Sequence, residues 1–194
     1  MNKEKIHEYI DEQIKSTLSL KENYEVFEKI FNVLKNARDK GKQVFVMGNG
    51  GSASTASHFV ADLLKTSITQ ENKRFKAISL SDNIPVLLAW SNDESYDNIF
   101  SNQLENFLDK DDVVIGISGS GNSKNVLNAI QLANEKHATT IGLNGKGGGK
   151  LSEIVKINLT VKSDDMLTIE TIHLLICNLL TTMIRSDGTP KFNY

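Results

Sequence analysis

The sequence predicts a single α/β domain, a three-layer doubly wound parallel sheet preceded by long N-terminal helices. Three observations lead to this class. From Gly41 onward, short apolar runs alternate with longer amphipathic ones. The short runs are apolar on successive residues, as strands covered on both faces are, and right-handed crossovers are the way such strands are joined. Residues 3–38 contain neither glycine nor proline, so the chain opens with uninterrupted helix.

The elements follow in order. Within the helical segment 1–40, Ile6, Ile10 and Ile14, then Phe27, Ile30, Phe31 and Leu34, recur at helical spacing. One long helix or two consecutive helices result, and their stripe packs on the body of the fold or on another subunit's equivalent helix. Strands are expected at 44–47, 77–80, 113–117, 140–143 and 157–161. Helices are expected at 53–64, at 84–90 and 96–108, at 126–134, as a short turn at Leu151, and at 167–184. Residues 187–194 read as a short C-terminal tail, which the pattern assigns to no element.

Composition narrows the function classes. A chain of 194 residues that is 39% hydrophobic and 24% charged is one ordinary globular domain, here 1–194 as a whole. A net charge of -2 offers no general attraction to nucleic acid or to anionic lipid, so any anion site must be local. The one cysteine, Cys177, cannot form an internal disulfide, and its neighbours Leu174, Leu175, Ile176 and Leu179 make it a buried thiol. No uninterrupted apolar stretch spans a bilayer, and residues 1–5 do not read as a signal peptide. The expectation is a cytoplasmic protein with no membrane partner.

The 13 glycines are clumped, and two clumps fall at strand ends. Gly48-Asn49-Gly50-Gly51-Ser52 follows the first strand, and Ser118-Gly119-Ser120-Gly121-Asn122-Ser123 follows the third. In an open α/β sheet such turns bring backbone N–H groups and a helix start to an anion. Neither is a P-loop, and neither is a dinucleotide fingerprint in the required frame. Asp82 is too distant for the usual ribose contact, which weakens a nucleotide-binding oxidoreductase. Ser118, Ser120 and Ser123 supply three hydroxyls at one helix start, which suits a phosphomonoester; the plainer alternative is that they only cap the helix.

His58 and Asp62 lie four residues apart on one helix face. They suit a divalent metal site, a general base at Asp62, or a solvated surface pair. Glu170, His173 and Asn178 form a further polar set on the last helix.

Taken together, these segments resemble a sugar-isomerase (SIS) domain of flavodoxin-like topology. The segments that carry it are Met47 to Ser52 with Ala56-Ser57-His58-Phe59, Trp90-Ser91-Asn92-Asp93, Ile117 to Ser123, Gly142-Leu143 with Gly147-Gly148, and Ser163-Asp164-Asp165 before Ile169 to His173. More narrowly the chain is similar to phosphoheptose isomerases, which convert sedoheptulose 7-phosphate to an aldoheptose 7-phosphate for heptose precursors. The resemblance implies a homotetramer with active sites between subunits. It implies that Ser118, Ser120 and Ser123 grip the phosphate while Asn49, Gly50, Ser52 and Asp93 reach the sugar.

It also implies one zinc per active site on His58, Asp62 and Glu170, with Asp62 and Glu170 as catalytic groups. Three positions depart from the family pattern: Asp62 stands for Glu, Glu170 for Gln and Asn178 for His. An amide cannot exchange protons near neutral pH. Asn178 therefore motivates an alternative, a non-catalytic SIS module that binds a phosphosugar or a protein, like the initiator-associating protein that binds DnaA.

Overall fold

The computed structural model describes residues 3–193. The outermost positions of the expected helical segment and tail, 1, 2 and 194, lie outside the described residues. Five parallel strands form one sheet: β1 (Gln43–Gly48), β2 (Lys76–Ser79), β3 (Val113–Ser118), β4 (Thr139–Asn144) and β5 (Ile157–Thr160). Their order is β2-β1-β3-β4-β5, so the winding reverses between β1 and β3. The carboxyl ends of those two strands flank the crevice where an open α/β sheet binds ligands.

Alternation along the strands sorts the core into two halves. Val44 and Val46 of β1 face a layer built from α2 (Tyr24–Lys40), α3 (Gly51–Ala61) and α8 (Met166–Arg185), with Ile30, Leu34, Phe59 and Ile176 fully buried there. Phe45 and Met47 face the opposite layer, with α5 (Ser101–Glu105), α6 (Lys124–Glu135) and α7 (Gly149–Ile154) supplying Leu104, Ile130 and Leu151. Trp90, on α4 (Ile84–Asp93), packs against this second half. All five expected strands are present, and so are the helices between them apart from one.

The N-terminal segment forms two helices, α1 (Lys3–Ser19) and α2, joined by a 3-10 turn at Leu20–Asn23. The apolar stripe divides with them. Phe27, Ile30 and Leu34 enter the core, whereas Ile6, Ile10 and Ile14 are 42–52% exposed.

Helix α8 is long and apolar enough to cross a membrane by composition alone, but half of it is buried inside the domain, where it packs along α3. Residues 187–193 are tied down. Asp187 pairs with Lys35 and with the buried Arg38, and the Lys191 amide donates to the Ile68 carbonyl.

One expected helix differs. The segment 96–108 breaks into a 3-10 turn at Tyr96–Asn98 and the short α5. The Asn128 amide donates to the Asp97 carbonyl and the Asn98 side chain, so that turn is held by α6 rather than continued as helix.

Candidate active site

Two turns meet at the reversal point. The turn after β3 brings the Ser118 and Ser123 hydroxyls within 3.0 Å of each other. Ser120 Oγ accepts the Asn122 amide at 3.2 Å, shaping the same turn. Gly121 holds φ +64°, and a Cβ there would fall on the Gly148 carbonyl, so only glycine lets the β3 and β4 loops touch. The outcome is a tight cup of hydroxyls and backbone N–H groups before α6, a geometry suited to phosphate oxygens. Ser118 is itself buried.

The turn after β1 is bound to this cup through Asn49. Its side chain exchanges two 2.9 Å hydrogen bonds with Asn125, on the first turn of α6, and its Oδ1 also accepts the Tyr96 hydroxyl at 2.8 Å. Beside it opens a cavity of about 290 Å³. Gly48, Asn49, Gly50, Ala53 and Ser81 line it together with Ile84, Leu87, Leu88, Ser91, Tyr96, Ile99 and Phe100. Of the residues expected to reach the sugar, Asn49 and Gly50 line this cavity. Ser52 is buried at the start of α3, and Asp93 is exposed at the end of α4, accepting from Asn92.

The expected base lies elsewhere on the protomer. Asp62 starts a π turn, Asp62–Thr66, in which the Ser67 amide donates to the Asp62 carbonyl at 2.9 Å. Such wide turns gather at functional sites. His58 Nε2 stands 3.5 Å from Asp62 Oδ2, and Thr181 of α8 donates to the same oxygen at 3.5 Å. Asp62 is eleven residues beyond Gly51 in the chain, about 16 Å at 1.5 Å per helical residue. A single protomer therefore separates the carboxylate from the hydroxyl cup.

Glu170 sits at the opposite end of α3 from Asp62. Its carboxylate occupies the space next to Gly51 that any side chain at 51 would need, with Cδ 2.6 Å from that Cβ position. The start of α3 presents the positive end of its dipole to it. His58 and Asp62 are thus brought together and Glu170 is not, and among the described residues no three His, Cys, Asp or Glu side chains are grouped to hold a metal. One protomer's residues alone do not fit a zinc centre.

Asn178 is exposed on α8. His173 is buried, and burial lowers its pKa to about 4 against a small opposing pull from the Asn144 backbone, so the ring is neutral. Burial pushes the Cys177 thiol far up, helped by the Asp62 charge, which leaves it an inert thiol as its apolar neighbours imply.

Sequence reasoning missed Tyr96, Asn125 and the π turn. Positions 49 and 125 are 76 residues apart, and no local pattern pairs them. Asn125 follows a candidate phosphate serine by two residues, the one clue that it faces the same crevice.

Comparison with known proteins gives consistent matches. The SIS domain family matches residues 8–145. A phosphoheptose isomerase of Geotalea daltonii is 41% identical over 155 residues, covering 80% of each chain. One from Geotalea uraniireducens is 37% identical over 178 residues, 92% of this chain and 91% of its own. Among solved structures, phosphoheptose isomerase from Neisseria gonorrhoeae superposes with a TM-score of 0.88 at 28% identity, covering 94% of this chain and 98% of that one. The Francisella tularensis phosphoheptose isomerase gives 0.89 at 28%, covering 96% and 100%.

Proposed function

The chain belongs to the phosphoheptose isomerases of the SIS domain family, and we propose on that basis that it interconverts sedoheptulose 7-phosphate and D-glycero-D-manno-heptose 7-phosphate. The observation that carries this reading is the cup at the β1/β3 reversal, where the Ser118 and Ser123 hydroxyls converge within 3.0 Å beside the Asn49 turn. The cup takes the phosphate and the turn takes the sugar. Ser120, Gly50, Ser52 and Asp93 complete the set that we assign to substrate binding.

The chemistry needs one base. In the ketose-to-aldose direction the Asp62 carboxylate removes a proton from C1, the C2 carbonyl oxygen gains the charge of the enediolate, and the proton is returned to C2. Before that return the C1 hydroxyl gives up its proton and the C2 oxygen gains one, so that protonation at C2 leaves C1 as the aldehyde. Asp62 carries one methylene fewer than the family's glutamate, so its reach is short, and Glu170 is assigned as the second acid/base group in place of the family's histidine at Asn178.

The same reading takes the protein as a cytoplasmic homotetramer with sites between subunits. Two features support it: the exposed Ile6, Ile10 and Ile14 stripe of α1, and the separation of Asp62 from the cup within one protomer. Zinc belongs to that assembly, with His58, Asp62 and Glu170 as its donors from more than one protomer.

A coupled assay with sedoheptulose 7-phosphate, run with and without added zinc, tests the reading. Metal-dependent turnover is expected. Phosphosugar binding without turnover would overturn it in favour of a non-catalytic binding protein.

A further inference from the structure

The hydrogen bonds around Asn49 fix which of its atoms are spent. The Val126 backbone N–H, which can only donate, donates to Asn125 Oδ1 at 2.9 Å. That settles the Asn125 amide: the atom facing Asn49 Oδ1 at 2.9 Å is its nitrogen. The Asn49 amide is settled in turn, with Nδ2 donating to Asn125 Oδ1 at 2.9 Å. The Tyr96 hydroxyl at 2.8 Å must then be a donor as well. Both lone pairs of Asn49 Oδ1 are thereby taken, and one of its two N–H bonds is used. What the Asn49 side chain has left to offer is a single N–H donor and no acceptor.

A donor without acceptor capacity complements a substrate group that is an acceptor without donor capacity. A sugar hydroxyl is both, and is met better by an amide with both ends free. On a ketose phosphate the acceptor-only groups are the phosphate oxygens and the carbonyl oxygen. The phosphate has its own hydroxyls at Ser118, Ser120 and Ser123.

We propose that Tyr96 and Asn125 are positioning residues that lock Asn49 as a donor to the substrate carbonyl oxygen, the oxygen on which negative charge develops as the enediolate forms. This rests on the isomerase reading above. A donor fixed before the reaction costs no reorganisation during it, so its benefit falls on turnover rather than on substrate affinity.

Tyr96 is 55% exposed, so Tyr96→Phe removes the hydroxyl without opening the core. Its kcat is expected to fall about fivefold to tenfold with KM within about twofold, the scale of one lost hydrogen bond, at an unchanged melting temperature. Two ligands then separate carbonyl from phosphate by calorimetry, which does not depend on turnover. A phosphorylated sugar hydroxamate mimics the planar, charged enediolate; the corresponding alditol phosphate keeps the phosphate and lacks the carbonyl. Tyr96→Phe is expected to weaken the hydroxamate about fivefold to tenfold and the alditol phosphate less than twofold. Equal weakening of both, or of neither, overturns the proposal. Absent wild-type turnover with selective loss of the hydroxamate overturns the isomerase reading and leaves the Asn49 donor standing.

Discussion

The Glu170 carboxylate lies where a side chain on Gly51 would have to go. A glycine at this first position of α3 therefore holds open the place of an acid carried by α8. The two residues are 119 apart in sequence, and the acid rests against the positive end of the helix dipole.

Gly51→Ala is expected to push Glu170 aside while leaving the fold intact. The clash is with the end of a flexible side chain, so thermal unfolding should shift by no more than about 1 kcal/mol. Turnover in the coupled assay should fall about tenfold, since small displacements of acid/base groups are costly. Unchanged turnover would remove Glu170 from the reaction.

Asp62→Asn keeps the shape of the π turn and removes the base. Turnover is expected to drop at least about a hundredfold, the lower range for a lost general base. Alditol phosphate affinity should stay the same, because the hydroxyl cup is remote from Asp62. Retained turnover would require a different base.

Ser118→Ala and Ser123→Ala each remove one hydroxyl from the 3.0 Å pair. A hydrogen bond to a charged group contributes about 1.5–3 kcal/mol, so KM should rise at least about tenfold while kcat changes little. A kcat effect without a KM effect would move the phosphate away from this cup.

How much of this was legible in the sequence depends on the range of the interaction. The strands were visible because burial on both faces writes a continuous apolar run, as at Val113 to Ile117. The hydroxyl cup was visible because its members lie within six consecutive residues. The break at residues 96–98 was not, because Asn128 holds it from another helix. The Asn49, Asn125 and Tyr96 network was hidden for the same reason. His58 and Asp62 were found by helical spacing, but spacing along α3 did not show that Asp62 stands a helix length away from the cup.

The buried His173 gives a pH dependence of stability with a definite sign. Its pKa falls from 6.5 to about 4 on folding. Between those values the unfolded chain binds a proton that the native ring does not, so stability is full above pH 6.5, declines as pH falls toward 4, and levels off below. The loss amounts to about 3 kcal/mol at most, from 1.36 kcal/mol per pKa unit. Denaturant unfolding between pH 7 and 4 measures it, and His173→Leu should flatten the slope in that window. A slope that survives the substitution would belong to other groups.

Asp187→Ala strips the buried Arg38 and the neighbouring Lys35 of their shared carboxylate, which those two cations hold below its ordinary pKa. The expected cost is about 2 kcal/mol of unfolding free energy, from bonds between charged groups. A loss below about 0.5 kcal/mol would show the C-terminal segment to be an ornament rather than a clamp.

The π turn at Asp62–Thr66 has one further consequence. Closing a helical turn over five residues instead of four spends one extra residue, so everything after it is rotated by about 100° relative to an unbroken α-helix. The turn is the last of this helical segment, so the rotation passes to the loop that leads into β2. His58 and Asp62 keep the register of α3, while Ser67 and Ile68 are turned inward and buried. A chain shortened by one residue here would keep its hydrophobic composition and its length of helix, yet aim the segment leading into β2 at the wrong side of the sheet.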